Sequence, residues 1–433
     1  MPRIIFTRLH TFPVMTRIGD SFPLSLLLKQ TSSRVATDPR DKIYSLLGLV
    51  PNSNIKPDYG TSVEEIYCTV AKQIIATDKD LGLLSAVDGH NTDSTLPSWV
   101  PDWRESSSIP AIGSLLDHNF TAWSSDTFNH ANGERISPLQ KEGNIQELHV
   151  LGSQFATVLS VWRLEELRHK LESCVTDQSR FFKEFRSFLK QISIPERYEH
   201  TNEVSLIAVL RTLSADTLPI SKKVGVASRK SNFPWHHDWL RQEIDIDLKA
   251  MRRQKIAKHF GIDSMETRAR LHSKGLDMTN MICEVYLNLF REDDVKLFAG
   301  FSQFQHKIAN LFGDTRPPPS YFFTDHMKSM IAVEIAGTML QWFVGRSFIK
   351  LDNGLIGIAP GNITSGDLVY QLDGAKIPFA LRSANSGSTQ SKLLGECYIH
   401  GIMYGEMLET KRRSRRRSAA PKAPLQRTNI VII

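Results

Sequence analysis

Apolar residues recur at helical spacing in the first quarter of the chain and at strand-like spacing near its middle and end. Val63, Ile66, Tyr67, Val70, Ala71, Ile74 and Ile75 repeat at intervals of three and four, which predicts a helix over residues 62–76 with one buried stripe. Ser62 and Glu65 supply its S-x-x-E capping box, in which each side chain satisfies a free backbone donor at the other's position. Upstream, residues 36–51 (ATDPRDKIYSLLGLVP) read as a short helix. Asp38 suits its N-cap and Pro39 its first position, where a missing N–H is harmless. Ile43, Leu46 and Leu47 form its apolar face, and Gly48 with Pro51 ends it. The segment LPSWVPDWR (96–104) cannot continue a helix, because Pro97 and Pro101 remove donors and push their predecessors into extended geometry. Trp99 and Trp103 are then loop anchors, buried against the two preceding helices.

The pattern changes at residues 147–162 (ELHVLGSQFATVLSVW), which favour strands. Helical periodicity resumes at Arg163 and continues in pieces to about residue 341, most clearly over residues 164–174, 180–192, 237–260 and 295–312, with a break at Pro317–Pro319. Past residue 342 two pairs of short apolar runs, 348–351 with 355–358 and 369–372 with 376–381, flank Asn353-Gly354 and Asp373-Gly374. Both dipeptides accept the positive φ of a tight hairpin turn. Residues 393–400 give a fifth strand, Pro378 belongs at an edge or bulge, and the strand near Val150 is expected to join this sheet. The expected fold class is α+β: a helical body with a small C-terminal antiparallel β-barrel or curled sheet and a disordered basic tail. The expected division is 1–146, mostly helical with loop anchors; 147–162, the strand segment; 163–341, a variable helical region; 342–409, the β module; and 410–433, the tail.

Composition narrows the classes. At 433 residues, 41% hydrophobic and 23% charged, the chain has enough apolar surface to offset the entropy of folding and enough length for more than one core. No run approaches the 18 or so apolar residues of a membrane span, so a soluble protein without membrane contact is expected. Cys68, Cys174, Cys283 and Cys397 form no C-x-x-C pair and lie far apart in sequence, which disfavours a disulfide framework or a zinc knuckle and predicts reduced, buried thiols. The net charge of +7 belongs to the end of the chain: eight Lys and Arg and no acid fall within residues 411–433, so the remainder is close to neutral.

Few residues offer chemistry. Cys397 and His400, three apart in a strand, project to opposite faces and do not form a nucleophile with its base or half a metal site. His236-His237 has no H-E-x-x-H companion. No phosphate loop, dinucleotide fingerprint or nucleophile elbow occurs. Asp38, Arg40 and Asp41 crowd three charges into one turn, and capping plus a local ion pair accounts for them better than a site does. The run KRRSRRRS places Lys411, Arg412, Arg413, Arg415, Arg416 and Arg417 within seven residues. Such a cluster repels itself, stays solvated, and offers an import signal or a salt-sensitive polyanion contact alongside the plain reading of a solubilising tail. No catalytic residue, cofactor or metal site follows from the sequence.

The ordered blocks themselves carry a resemblance. ATDPRDKIYSLLGLVP, IKPDYGTSVEEIYCTVAKQII and LPSWVPDWR, in that order, resemble the region that follows the HET domain in fungal heterokaryon-incompatibility proteins, and GLIGIAP, GDLVYQLDGAKIPFALR and LLGECYIHGIMYGE are similar to the end of the same proteins. The likeness covers residues 34–104, the strand block at 147–162, and 345–408. Family members carry, ahead of the first block, a TIR-like effector domain with a tryptophan-glycine motif and a W-I-D-x-x-C-I-N-Q motif; residues 1–35 contain neither. The resemblance therefore implies a shortened paralogue, a decayed copy or a sequence that starts too late, and no effector residue carries over. It implies a role in nonself recognition and incompatibility cell death through protein interaction, with other HET-family proteins as partners, in the cytoplasm or, through the tail and an importin, the nucleus. The rival readings are a remnant nucleotide hydrolase of the NADase type and a nucleic-acid binder acting through the basic tail.

Overall fold

A computed structural model describes residues 23–50, 53–87, 95–105, 109–114, 144–174, 177–193, 195–217, 337, 339–384, 390–404 and 427–433. The chain divides into two compact units, one of residues 11–172, 208–216 and 338–433 and one of residues 1–10, 173–207 and 217–337. The expected helices at 237–260 and 295–312, the His236-His237 pair, the Pro317–Pro319 break and Cys283 lie outside the described residues, as does the basic run.

The helical part of the larger unit begins with α1 (Leu24–Gln30), whose Leu24, Leu27 and Leu28 are buried. The segment at 36–51 forms less helix than its pattern predicts: α2 (Asp41–Tyr44) is one turn, followed by a separate 3-10 turn at Leu47–Leu49. The reason lies at its start. The Asp38 carboxylate accepts the backbone N–H of Arg40 at 2.9 Å, two residues on, and so closes a turn of its own. What remains is too short to propagate an α ladder, although Ile43 and Leu46 are buried as the spacing predicts. Helix α3 (Val63–Asp78) follows the sequence closely. Ser62 Oγ accepts the Glu65 N–H at 3.2 Å, and the buried stripe runs from Ile66 to Ile75, with Lys79 in the left-handed conformation closing the C-terminus.

The β architecture is built around one long strand, β1 (Leu148–Arg163), which continues directly into α4 (Leu164–Glu172). Beyond α4 the smaller unit contributes α5 (Gln178–Ile192), capped by Asp177, which accepts the Arg180 N–H. It also contributes a two-strand ladder of β2 (Arg197–Tyr198) and β3 (Glu203–Val204). Phe181, Phe185, Phe188 and Ile192 line the buried face of α5. Helix α6 (Ser205–Leu213) then precedes the C-terminal strands β4 (Arg346–Leu351), β5 (Ile356–Pro360), β6 (Leu368–Leu372), β7 (Phe379–Ser383), β8 (Gln390–Glu396), β9 (Tyr398–Ile399) and β10 (Thr428–Ile432).

Strands β1, β6, β7, β8 and β10 pair in a closed ring, because β10 bonds β8 on one side and β1 on the other. The second half of β1 leaves that ring to pair with β4, extending the sheet through β5 to β9. Two register shifts in β1, between Gln154 and Ala156 and between Val158 and Ser160, let one strand serve both sheets, since a bulge bends and twists the strand that carries it. The expected joining of the Val150 strand to the C-terminal sheet is therefore observed, with Leu148 opposite Ile432 and Gly152 opposite both Thr428 and Leu372. Both expected hairpins form, and Gly354 (φ 85°) and Gly374 (φ 93°) supply the backbone angles their turns need.

Three expectations need correction. Residues 393–400 are not one strand: β8 ends at Glu396 and β9 begins at Tyr398, because the chain leaves β7's edge and crosses to β5. Pro378 lies just ahead of β7, where its carbonyl accepts the Cys397 N–H at 2.8 Å. The segment 410–433 is not disordered to its end, since Thr428–Ile432 is β10. The charge run stops well before this strand, and TNIVI is a β-branched segment whose burial offsets the entropy of ordering it.

Candidate functional site

The polar cluster at 38–61 proves to be a local brace. Arg40 grips Asp38 with both ends of its guanidinium, at 3.0 and 2.9 Å, and donates to the carbonyl of Thr61 at 3.0 Å and to that of Tyr59. The side-chain bond from Arg40 holds the Asp38 carboxyl below the usual range. Asp41 accepts the Tyr59 hydroxyl at 2.6 Å, and the Tyr44 hydroxyl donates to the Asp58 carbonyl at 2.9 Å. The two tyrosine rings meet edge-on. Every charge of the D-P-R-D motif is thus spent on holding the 58–61 turn against α2, which is the structural reading of that motif. Lys42, which no pattern singled out, is 9% exposed and donates to the carbonyls of Ser32 and Arg34, securing the chain after α1.

Both tryptophans are anchors. Trp99 is fully buried, donates its indole N–H to the Gln146 carbonyl at 3.0 Å and lies under the Lys72 ammonium. Trp103 packs edge-on against Tyr67 of α3, ring centroids 4.9 Å apart.

Among the described residues of the larger unit, two ion pairs are buried at both partners, and sequence reasoning missed both. Arg346 at the start of β4 and Glu396 at the end of β8 are each 3% exposed and meet at 2.8 Å. Glu396 also accepts the backbone N–H groups of Ile112 and Gly113, the latter at 3.0 Å, and Arg346 donates to the Pro110 carbonyl at 2.8 Å. The pair therefore fixes the 110–114 turn to the sheet. The second pair joins Arg211 of α6 to Asp216 at 2.7 Å, with the Tyr404 hydroxyl donating to the same carboxylate at 2.7 Å. Neither pair leaves a pattern in the sequence, because partners separated by 5 or 50 positions obey no motif spacing.

The Asp216 pair makes a pH prediction. Burial raises its pKa, but the Arg211 charge, the bonds from Arg211 and Tyr404, and the His400 charge outweigh burial and bring it down to about 2 from 3.8. A carboxylate depressed in the folded state contributes stability that is complete above its unfolded pKa and lost as pH falls through the folded one. Stability should fall between pH 4 and pH 2, and Asp216→Asn should flatten that part of a urea-midpoint-against-pH curve.

Cys397 and His400 are both buried, 0% and 1% exposed, and His400 Nδ1 lies 3.2 Å from the Tyr398 hydroxyl. Burial pushes the Cys397 thiol well above its ordinary pKa, which keeps it protonated and unreactive. Cys68 and Cys174 are likewise buried and in no disulfide. Among the described residues no group of three or more His, Cys, Asp or Glu is placed to hold a metal, and no helix is long and apolar enough to cross a membrane. Lys411, Arg412, Arg413, Arg415, Arg416 and Arg417 lie outside the described residues.

Residues 292–416 match the Het-6 β-barrel domain, a span that contains β4 to β9, while β1 and β10, which complete the ring, fall outside it. Over 411 residues, 87% of this chain, the sequence is 24% identical to heterokaryon incompatibility protein 6, OR allele, of Neurospora crassa. The alignment takes in 50% of that relative, so this chain spans about half its length. No solved structure matches. The barrel domain and the length of the alignment make this chain similar to the fungal heterokaryon-incompatibility proteins.

Proposed function

We propose that this chain acts in fungal nonself recognition, regulating incompatibility cell death in the cytoplasm by binding other incompatibility proteins rather than by catalysis. The observation that carries this reading is the pairing of a Het-6 barrel with similarity along most of the chain to a relative named for incompatibility. The polar clusters support it in a narrower way. Their charged groups are committed to bracing turns and strands, which suits a rigid scaffold for an interaction surface.

The test is expression in a fungal host in which forced heterokaryons are scored for viability, together with affinity purification against full-length family members. The expected result is altered heterokaryon viability and recovery of a family member with the purified chain. Unchanged fusion viability and growth, with no association in the purification, would overturn the proposal. Hydrolysis of a nicotinamide dinucleotide by the purified chain would replace it with an enzymatic reading.

A further inference from the structure

Strand β10 differs from its neighbours in three ways. Its pairing with β8 is parallel, whereas the other pairings of the ring, its own with β1 included, are antiparallel. As the last strand of the chain it bonds β8 on one side and β1 on the other to close the ring, and it follows residues 405–426 in the sequence. At about 3.3–3.6 Å per extended residue, that connection can span on the order of 70 Å, so the covalent path does not require β10 to fill the barrel of its own copy.

The cleft that receives β10 is shaped for an extended apolar segment. Ile430 and Ile432 are 4% and 0% exposed and lie opposite Val150 and Leu148. Gly152 makes room for the first: a Cβ there would lie 2.9 Å from Ile430 Cδ1 and 2.9 Å from Leu372 Cδ2. Backbone anchors hold the end of the strand. Ser98 donates its N–H to the Ile433 carbonyl at 3.1 Å, and the Ser391 carbonyl accepts the Ile433 N–H at 3.0 Å. Ser98 Oγ also accepts the Leu393 N–H at 2.9 Å, tying the same loop to β8. Arg427 faces Asp373 at 3.6 Å on the other flank.

With β10 withdrawn, β1 and β8 would present two unpaired edges over an open apolar interior, a state that recruits any matching strand. Exchange of an identical element between copies is a low-cost route to a dimer, and strand addition supplies main-chain bonds with side-chain pockets for specificity. We propose that the cleft between β1 and β8 is a strand-acceptor site, filled by residues 428–432 of its own chain and able to take the same segment from a second copy. The inference does not rest on the incompatibility role and is tested on purified protein.

The experiment uses the full chain carrying His149→Cys and Val431→Cys, positions that face each other across β1 and β10. Refolded under oxidation at low concentration it should give an intramolecular link, and at high concentration a covalent dimer on a non-reducing gel. In parallel, a full chain with a protease site replacing residues 418–423 is cut, and a fluorescent peptide of residues 427–433 is added. The peptide should be taken up, and a peptide with Ile430→Asp should bind at least ten-fold more weakly. Absence of the disulfide, links within one copy at every concentration, or failure of the cut protein to take up the peptide would each overturn the proposal.

Discussion

Glu396→Ala should destabilise the larger unit by about 3–5 kcal/mol, the range for removing one partner of a buried ion pair, read as a lower urea midpoint by tryptophan fluorescence. The carboxylate is shared by three donors: the Arg346 guanidinium and the amides of Ile112 and Gly113. Deleting it strands a cation that is 3% exposed, and it releases the 110–114 turn from the sheet. Arg346→Met should cost less, because Glu396 would keep both amide donors while the methionine fills the space with apolar atoms. A larger loss for Arg346→Met than for Glu396→Ala would mean that the guanidinium, through Pro110, fixes the turn and the carboxylate only follows.

That asymmetry also explains what could be read in advance. Helix α3 was legible because one short window held its cap, its stripe and its stop. The hairpins were legible because Asn353-Gly354 and Asp373-Gly374 sit between runs of the right length. The barrel as a closed object was only partly legible. Val150 could be assigned to the C-terminal sheet, but the ring needs β10, and the sequence around it is dominated by the cations of 411–417. A charge run masked the β-branched segment that follows it. The division of 393–400 into two strands was hidden for a different reason: apolar alternation reports burial on a sheet without saying which sheet, and Cys397 sits where the chain changes partners. The candidate site was least legible of all. Asp38, Arg40 and Asp41 drew attention because they are adjacent, and they brace a turn. The buried pairs Arg346–Glu396 and Arg211–Asp216 are brought together by topology, which no spacing rule records. The family resemblance rests instead on ordered blocks, and those blocks prove to be structural: the 36–61 brace, the Trp99 loop and the hairpins.

The Trp99 loop offers the sharpest way to separate packing from hydrogen bonding. Trp99→Ala should lower stability by about 3–5 kcal/mol, since the indole is fully buried and its removal leaves a cavity that the surroundings fill only in part. Trp99→Phe keeps much of the apolar contact but loses the indole N–H bond to the Gln146 carbonyl, 3.0 Å in the native loop; Gln146 is exposed, so water can take the donor's place and the cost should be about 0.5–1.5 kcal/mol. The two variants should also differ at a distance. Ser98, the preceding residue, accepts the Leu393 N–H and donates to the Ile433 carbonyl, so loss of the anchor should loosen β8 and the end of β10. Faster hydrogen exchange at the Leu393 amide is expected in Trp99→Ala and much less in Trp99→Phe. Equal protection of that amide in both variants, despite the stability loss, would show that Ser98 is held by its own bonds and that the tryptophan stabilises only the loop on which it sits.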